Sequence, residues 1–235
     1  MNCASPLNAI IGFSEMMQRG MFGPLGSERY AEYTNDIHYS GNYLLAFIND
    51  ILDMSKIEAG QFRIEPETVN ATEILNETMM FISVPAAQKG ITIEVNAAAE
   101  TWIEADKRAL KQVLINLLSN AQKFTGKNGK IRVRAHVAGG ALRLSIADDG
   151  CGIPRSALAK LGEPFTQVAD PATRHHPGSG LGLAISRSVV ELHGGRLRIV
   201  SRLGEGTIVH VILPQKVPAD LLDVASTADT MDEAA

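Results

Sequence analysis

Apolar positions recur three, four and seven residues apart through the first sixty residues, after which the pattern changes. In "PLNAIIGFSEMM", Leu7, Ile10, Ile11, Phe13, Met16 and Met17 fall at helical spacing. A turn, "RGMFGPLG", follows. From Ser27 to about Gly60, Ile37, Leu44, Ile48, Ile51, Leu52 and Ile57 draw one apolar stripe along a second, longer helix. At a rise of ~1.5 Å per residue the second helix reaches roughly 45–50 Å and the first about half that. An antiparallel hairpin of the two leaves the far half of the long helix without a partner unless the first helix continues upstream. The sequence is therefore expected to begin inside a helix, although Ser5-Pro6 also permits an N-cap followed by proline at the first helical position. Two helices cannot hide a two-sided apolar surface alone, which predicts dimerisation into a four-helix bundle.

Beyond Gly60 helices and strands mix. "QFRIEPETV" reads as extended, "NATEILNETMMFISVPAAQKG" as helix, and "ITIEVN" and "TWIEAD" as short strands. "DKRALKQVLINLLSNAQKF" places Leu110, Leu114, Leu117 and Leu118 at helical spacing behind Asp106 as N-cap. "GKIRVRAHV" and "ALRLSIADD" predict a hairpin about Gly139-Gly140. A helix, "GLGLAISRSVVELHG", ends at Gly194-Gly195, and "RLRIVSRL" and "GTIVHVILP" supply two strands joined through Gly204-Glu205-Gly206. The fold class expected is α+β: a helical hairpin over 1–60, then a two-layer α/β sandwich over 61–214. Residues 215–235 are acidic, Ala-rich and unpatterned, and read as a disordered tail. No repeat of fixed period is present.

Composition changes this picture little but excludes several classes. Of 235 residues 45% are hydrophobic, and 22 Lys and Arg against 26 Asp and Glu leave a net charge of -4. The basic residues are dispersed along the sequence, which argues against a nucleic-acid partner. Cys3 and Cys151 are far apart and lack metal-ligand spacing, so free thiols in a reducing cytosol are expected. No apolar run approaches the ~20 residues of a membrane span, and no signal peptide pattern is present, so a cytoplasmic location without membrane contact within this chain is expected, with membrane tethering of a full-length protein left open.

Three segments place small or polar residues where a packed core would not ask for them. In "NLLSNAQKF", Asn116, Asn120 and Lys123 share one face of a helix; amide oxygens can ligate a hard metal and the lysine can neutralise phosphate, although an ordinary solvated face has the same pattern. In "IADDGCGIP" a strand runs into two acids and then Gly150 and Gly152. A carboxylate at a strand end can accept from the exocyclic amine of a purine, and glycines let backbone lie against a flat ring, although a plain turn fits equally. In "GSGLGLAIS", Gly178, Gly180 and Gly182 precede a helix whose N-terminus can hold phosphate. This is neither the dinucleotide fingerprint nor a P-loop.

In order and spacing the three segments resemble the N, G1 and G2 boxes of the sensor histidine kinases, within the GHKL ATPases that also include type II topoisomerases and heat-shock chaperones. "GEPFTQV" resembles the F box and "GEGTIVHVILP" the closing G3 segment, while "PLNAIIGFSEMM" and "INDILDMSKIEAG" resemble the dimerisation and phosphotransfer hairpin of the same kinases. The resemblance covers about residues 1–214. It implies an ATP site, with Asn120 binding Mg2+ and Asn116 and Lys123 touching the phosphates. Asp148 would read the adenine amine, with Gly150 and Gly152 lining the ring. Gly178, Gly180, Leu181 and Gly182 would form the hinge and phosphate wall, and Thr207 would lie near the nucleotide. Between Phe165 and Gly178 the segment corresponds to the lid, where Arg174 would assist at the γ-phosphate. The partners implied are a second copy of the chain and the receiver domain of a response regulator.

One element departs from that pattern. The family carries H-E-x-x-[ST]-P on its first helix; counting back from Pro6 places Ser5 at the hydroxyl, Asn2 at the acid and Met1 at the phosphoacceptor histidine. Imidazole is required there because its neutral nitrogen attacks the γ-phosphorus, and the acid orients the ring. Ala4 also replaces the customary arginine. Either the sequence begins inside the box or the box has decayed. His38, His136, His175, His176, His193 and His210 offer no substitute: His38 reads as a partly exposed helical residue with no reactive part. The expected function is thus a two-component histidine kinase core passing phosphate from Mg-ATP to histidine and on to a regulator aspartate. The alternative is an ATP-binding pseudokinase scaffold. A further possibility is phosphatase action, with Ser5 positioning water at a phosphorylated aspartate.

Overall fold

The computed structural model describes residues 4–167 and 179–216. Two compact units divide at Glu58/Ala59. The first is a hairpin of α1 (Ala4–Gln18) and α2 (Glu28–Glu58). Along α1 the inward positions Leu7, Ile11 and Ser14 follow the helical four-then-three spacing, and Thr34, His38 and Gly41 repeat it on α2. Gly41 is where the helices approach closely: a Cβ there would stand 2.8 Å from Ile11 Cγ1. The buried Ser14 Oγ donates to the Ile11 carbonyl at 2.7 Å and lies 3.2 Å from His38 Nδ1. His38, expected to be a partly exposed helical residue, is half-buried and meets Ser14 across the hairpin. A second apolar row, Ile10, Phe13 and Met17 on α1 with Ile37, Leu44 and Leu52 on α2, is exposed.

The second unit contains β1 (Glu67–Asn70), α3 (Ala71–Gln88), β2 (Thr92–Ala97), β3 (Trp102–Ala105), α4 (Lys107–Phe124), β4 (Lys130–Val137), β5 (Ala141–Asp148), α5 (Arg155–Leu158), α6 (Gly182–Leu192), β6 (Arg196–Arg202) and β7 (Gly206–Pro214). β1 and β3 pair antiparallel, apart from a five-stranded sheet in the order β2-β4-β5-β7-β6. In that sheet β2 and β4 are parallel and all other neighbours antiparallel. The parallel step requires a crossover, and α4 lies in it.

Strand alternation sorts the sheet into two faces. Ile131, Val133, Leu144, Ile146 and Val211 point to the helical layer and are buried with Ile74, Leu75, Val113, Leu118 and Val190. The same alternation turns Arg132, Arg134, Arg143, Arg196 and Arg198 to the opposite, exposed face.

Caps fix the helices that frame the site. Asn70 Oδ1 accepts from Thr72 N at 3.0 Å and Thr101 N at 3.2 Å, so one amide starts α3 and ties it to the β3 approach. Asp106 caps α4 as expected, Oδ1 accepting from Ala109 N at 2.9 Å while Oδ2 accepts from Glu65 N at 3.1 Å. Burial opposes the Asp106 charge, but the backbone N–H groups of Ala109 and Glu65, with Arg108 nearby, prevail and hold its pKa below the usual value. At the other end of α4, Lys89 Nζ donates to the carbonyls of Gln122 (3.0 Å) and Lys123 (3.2 Å), a cation on the negative end of the helix.

Candidate functional site

The polar face of α4 meets the start of α6. Asn116 Nδ2 donates to the Gly182 carbonyl at 3.2 Å and lies 3.4 Å from Ser186 Oγ, while its oxygen accepts from Gln112 Nε2 at 3.0 Å. A Cβ on Gly182 would stand 3.4 Å from that amide, an ordinary contact distance. One turn further along α4, Asn120 is partly exposed and its side chain has no hydrogen bond among the described residues. Lys123 lies in the last turn with Nζ 5.0 Å from the Phe124 ring centroid, and burial pushes its pKa down.

Asp148 ends β5, opposite Thr207 on β7. Its Oδ1 accepts from Gly150 N at 3.0 Å. Burial is the largest influence and pushes its pKa up; the N–H groups of Gly150 and Thr207 act against that and the Asp149 charge with it. The carboxylate is a poorly solvated acceptor at a strand end, the chemistry an exocyclic amine satisfies. A Cβ on Gly150 would stand 2.5 Å from the Phe124 carbonyl oxygen, so the loop after β5 rests on the end of α4 and brings Asp148 beside the Lys123–Phe124 turn.

Gly152 has a φ of +66° and abuts the Arg202 carbonyl, and Gly206, at φ +98°, abuts the Asp148 carbonyl. Packing of the β5 end against the β6–β7 hairpin already requires these two glycines. Gly180 has a φ of +71°, and a Cβ there would stand 2.9 Å from the Phe165 carbonyl carbon, joining the "GEPF" turn to the start of α6. Leu181 is fully buried and stands at the N-cap of α6 with no side chain capping the helix. Met1, Arg174 and Gly178 lie outside the described residues; Ser5 is in the first turn of α1, with its side chain outside them.

Two residues that sequence reasoning passed over organise this end of the sheet. Ser201 Oγ accepts from Ile153 N at 2.9 Å, and lies 2.8 Å from both the Gly206 carbonyl and Thr207 Oγ1. Asp149 Oδ1 accepts from Lys130 N at 2.8 Å, tying the same loop to β4. The second acid of "DDG" was a visible signal for the latter. Nothing in the sequence pattern singles out Ser201, whose partners come from two other segments.

These groups suit a magnesium nucleotide. An uncapped helix N-terminus and a partly desolvated lysine are suited to phosphate. An amide on the same face as that lysine can present its oxygen to a hard cation, and the half-buried acid can accept from a purine amine.

Comparison with known proteins agrees. Residues 105–217 match the histidine kinase-, DNA gyrase B-, and HSP90-like ATPase family, and residues 5–60 match the His Kinase A (phospho-acceptor) domain. The histidine protein kinase DivJ of Caulobacter vibrioides is 47% identical over 211 residues, covering 89% of this chain and 35% of its own length. The non-motile and phage-resistance protein of the same organism is 44% identical over 227 residues, covering 93% and 27%. Among solved structures, full-length ShkA in complex with AMPPNP superposes with a TM-score of 0.74 at 29% identity, over 92% of this chain and 44% of that one. The mycobacterial sensor histidine kinase MprB, 32% identical, gives 0.58 over 65% of this chain and 100% of that one.

The chain belongs to the histidine kinase family: it is a sensor histidine kinase core of the two-component systems, a phosphoacceptor-type hairpin followed by a GHKL-type ATP-binding domain. It spans 27% and 35% of the length of the two curated relatives above. Among the described residues no helix is long and apolar enough to cross a membrane.

Proposed function

We propose that this chain binds Mg-ATP and transfers its γ-phosphoryl group to a histidine on a partner polypeptide, from which it passes to an aspartate of a receiver domain. The observation that carries this reading is the meeting of Asn116 with Gly182, which sets the uncapped start of α6 beside the polar face of α4. Asp148 accepts from the adenine amine and Thr207 lies near the base. Lys123 and the first N–H groups of α6 hold the phosphates, with Asn116 fixing the helix that supplies them. Gly150, Gly152, Gly180, Leu181 and Gly182 shape the walls, with Gly178 assigned to the same wall and Arg174 to assistance at the γ-phosphate. Asn120 supplies an oxygen to Mg2+, which when bound offsets phosphate charge.

In the transfer, a neutral imidazole nitrogen forms a bond to the γ-phosphorus. The bond to the β–γ bridging oxygen breaks and ADP leaves with its electron pair. The ring proton passes to a neighbouring base.

The exposed apolar row on α1 and α2 supports homodimerisation through a four-helix bundle, since a patch of that length is costly to leave in water. A neighbour of known structure, histidine kinase ThkA in complex with the response regulator protein TrrA, supports a receiver-domain partner (TM-score 0.63, 25% identity, 89% of this chain and 58% of that one).

Incubation with γ-labelled ATP, a histidine-bearing partner kinase and a receiver protein tests the proposal. Label should appear on the partner's histidine and then on the receiver aspartate, and Asp148→Asn should remove both. The sequence at Met1 and Asn2 also favours a second reading, an ATP-binding scaffold that regulates partner kinases; nucleotide binding with no label on any partner would select it. Loss of label from a phosphorylated receiver, sensitive to Ser5→Ala, would select phosphatase action.

A further inference from the structure

One row across the inner face of the sheet turns polar where the next is apolar throughout. Val133, Ile146, Val209 and Ile199 form the apolar row; beside it, Ile131 on β4 is followed in register by Asp148 on β5, Thr207 on β7 and Ser201 on β6. Directly paired residues share a face, and the fully buried Ile131 marks this one as the face under the helices. Asp148, Ser201 and Thr207 are half-buried, and all three line one cavity of about 1060 Å³ together with Ile153. An acid and two hydroxyls thus stand side by side at the base end of the proposed nucleotide site.

The contacts of Ser201 fix where the hydroxyl protons lie. Its Oγ has one proton to give and two lone pairs to accept with. The Gly206 carbonyl oxygen, 2.8 Å away, can only accept, so a contact this short between two oxygens requires the Ser201 proton between them. One lone pair takes the Ile153 N–H at 2.9 Å. Thr207 Oγ1 also lies 2.8 Å away, and with the Ser201 proton committed to Gly206 this bond is made by the Thr207 proton, donated to the second lone pair. Ser201 is then fully used and Thr207 has no proton left, so any bond Thr207 Oγ1 makes to a ligand is one it accepts. Asp148 beside it offers carboxylate oxygens, of which Oδ1 already accepts from Gly150 N at 3.0 Å.

Two adjacent acceptors set a demand on the base. The C6 amine of adenine brings two protons to such a pair. The C6 carbonyl of hypoxanthine brings none, and its oxygen faces the Thr207 lone pairs with no proton between them.

We propose that Ser201 is a positioning residue for base selection: by taking the Thr207 proton it holds that hydroxyl as an acceptor, and so favours a 6-aminopurine over a 6-oxopurine. This rests on the nucleotide site proposed above. With Ser201 removed, Thr207 is free to turn and donate to a 6-oxo group while Asp148 accepts from the N1–H of the same base.

Calorimetric titration of the full chain with Mg-ADP and Mg-IDP tests this, since the two nucleotides share sugar and phosphates and differ only at C6 and N1. The unaltered chain should prefer ADP at least about tenfold, and Ser201→Ala should narrow that preference about tenfold. A purely structural loss at Ser201, which also frees the Ile153 N–H and the Gly206 carbonyl, weakens both nucleotides alike and leaves their ratio unchanged. Thr207→Val keeps the Ile153 and Gly206 bonds and removes the acceptor, so it should narrow the preference too, and it decides the question even where Ser201→Ala does not fold. Adding Ser201→Ala to Thr207→Val should change the ratio no further. No preference in the unaltered chain, a ratio unchanged in Ser201→Ala, a preference unchanged or widened in Thr207→Val, or further narrowing in the double variant would each overturn the role of Ser201. No ADP binding by the folded chain, or ADP affinity unchanged in Asp148→Asn, would instead overturn the nucleotide site on which that role rests.

Discussion

The amide of Asn116 donates to the carbonyl of Gly182 at 3.2 Å, joining residues 66 positions apart on two helices that also meet at Ser186. This bond sets where the N-terminus of α6 stands against α4. Its role differs from that of Asn120 one turn away, and the two asparagines can be separated. Asn116→Ala should lower stability by about 1 kcal/mol, the worth of an ordinary hydrogen bond, and weaken nucleotide binding through the misplaced helix. Asn120→Ala should leave the melting temperature unchanged while removing the Mg2+ dependence of binding. Thermal melts with and without Mg-ATP check both.

Asp148 couples stability and binding with opposite signs. Burial raises its pKa in the folded protein, so on descending pH the folded state takes up the proton before the unfolded chain does. Stability contributed by this group is therefore greatest at low pH and falls as pH rises through the ordinary carboxylate value and then the raised one. Asp148→Asn should flatten that slope and leave the neutral-pH melting temperature equal or higher. ATP affinity should fall about 10- to 100-fold with the loss of a hydrogen bond to a charged group. Urea unfolding across pH, with calorimetric titration, reads both.

Gly152→Ala should destabilise the ATP-binding domain by about 2–4 kcal/mol, because the alanine is forced into the left-handed region and its Cβ meets the Arg202 carbonyl. Gly139→Ala, equally left-handed at φ +62° but in open space, should cost less, about 1 kcal/mol. Denaturant midpoints compare them.

His193 holds the junction of α6 to α4 from the side away from the nucleotide. Its Nε2 accepts from Asp106 N at 3.0 Å, and Nδ1 lies 2.7 Å from the Val189 carbonyl. His193→Leu leaves the Asp106 N–H without an acceptor and should cost about 1–3 kcal/mol. Nucleotide affinity of the protein that remains folded should be unchanged, as a binding titration below the melting transition will show.

The sequence announced the elements whose signals are local. Leu110, Leu114, Leu117 and Leu118 mark α4 by periodicity and Asp106 marks its start by side-chain chemistry, so helix and cap were readable together. The boxes around Asn116, Asp148 and Gly180 were legible as separate polar interruptions in otherwise apolar elements. What was not legible depends on distant partners: the antiparallel β1–β3 pair, the parallel register of β2 with β4, and the bonds of Ser201 to Ile153, Gly206 and Thr207. The four-residue α5 is too short to establish a period. For His38 the sequence shows only its own helix, and the contact with Ser14 arises from packing against another.

The most direct test is calorimetric titration of the full chain with AMPPNP in Mg2+. A single sub-millimolar site per chain, lost on chelating the metal and weakened about 10- to 100-fold in Asp148→Asn, is the predicted result. No binding at millimolar nucleotide by folded protein, or equal affinity in Asp148→Asn, would contradict the assignment of the α4, β5 and α6 residues to an ATP site.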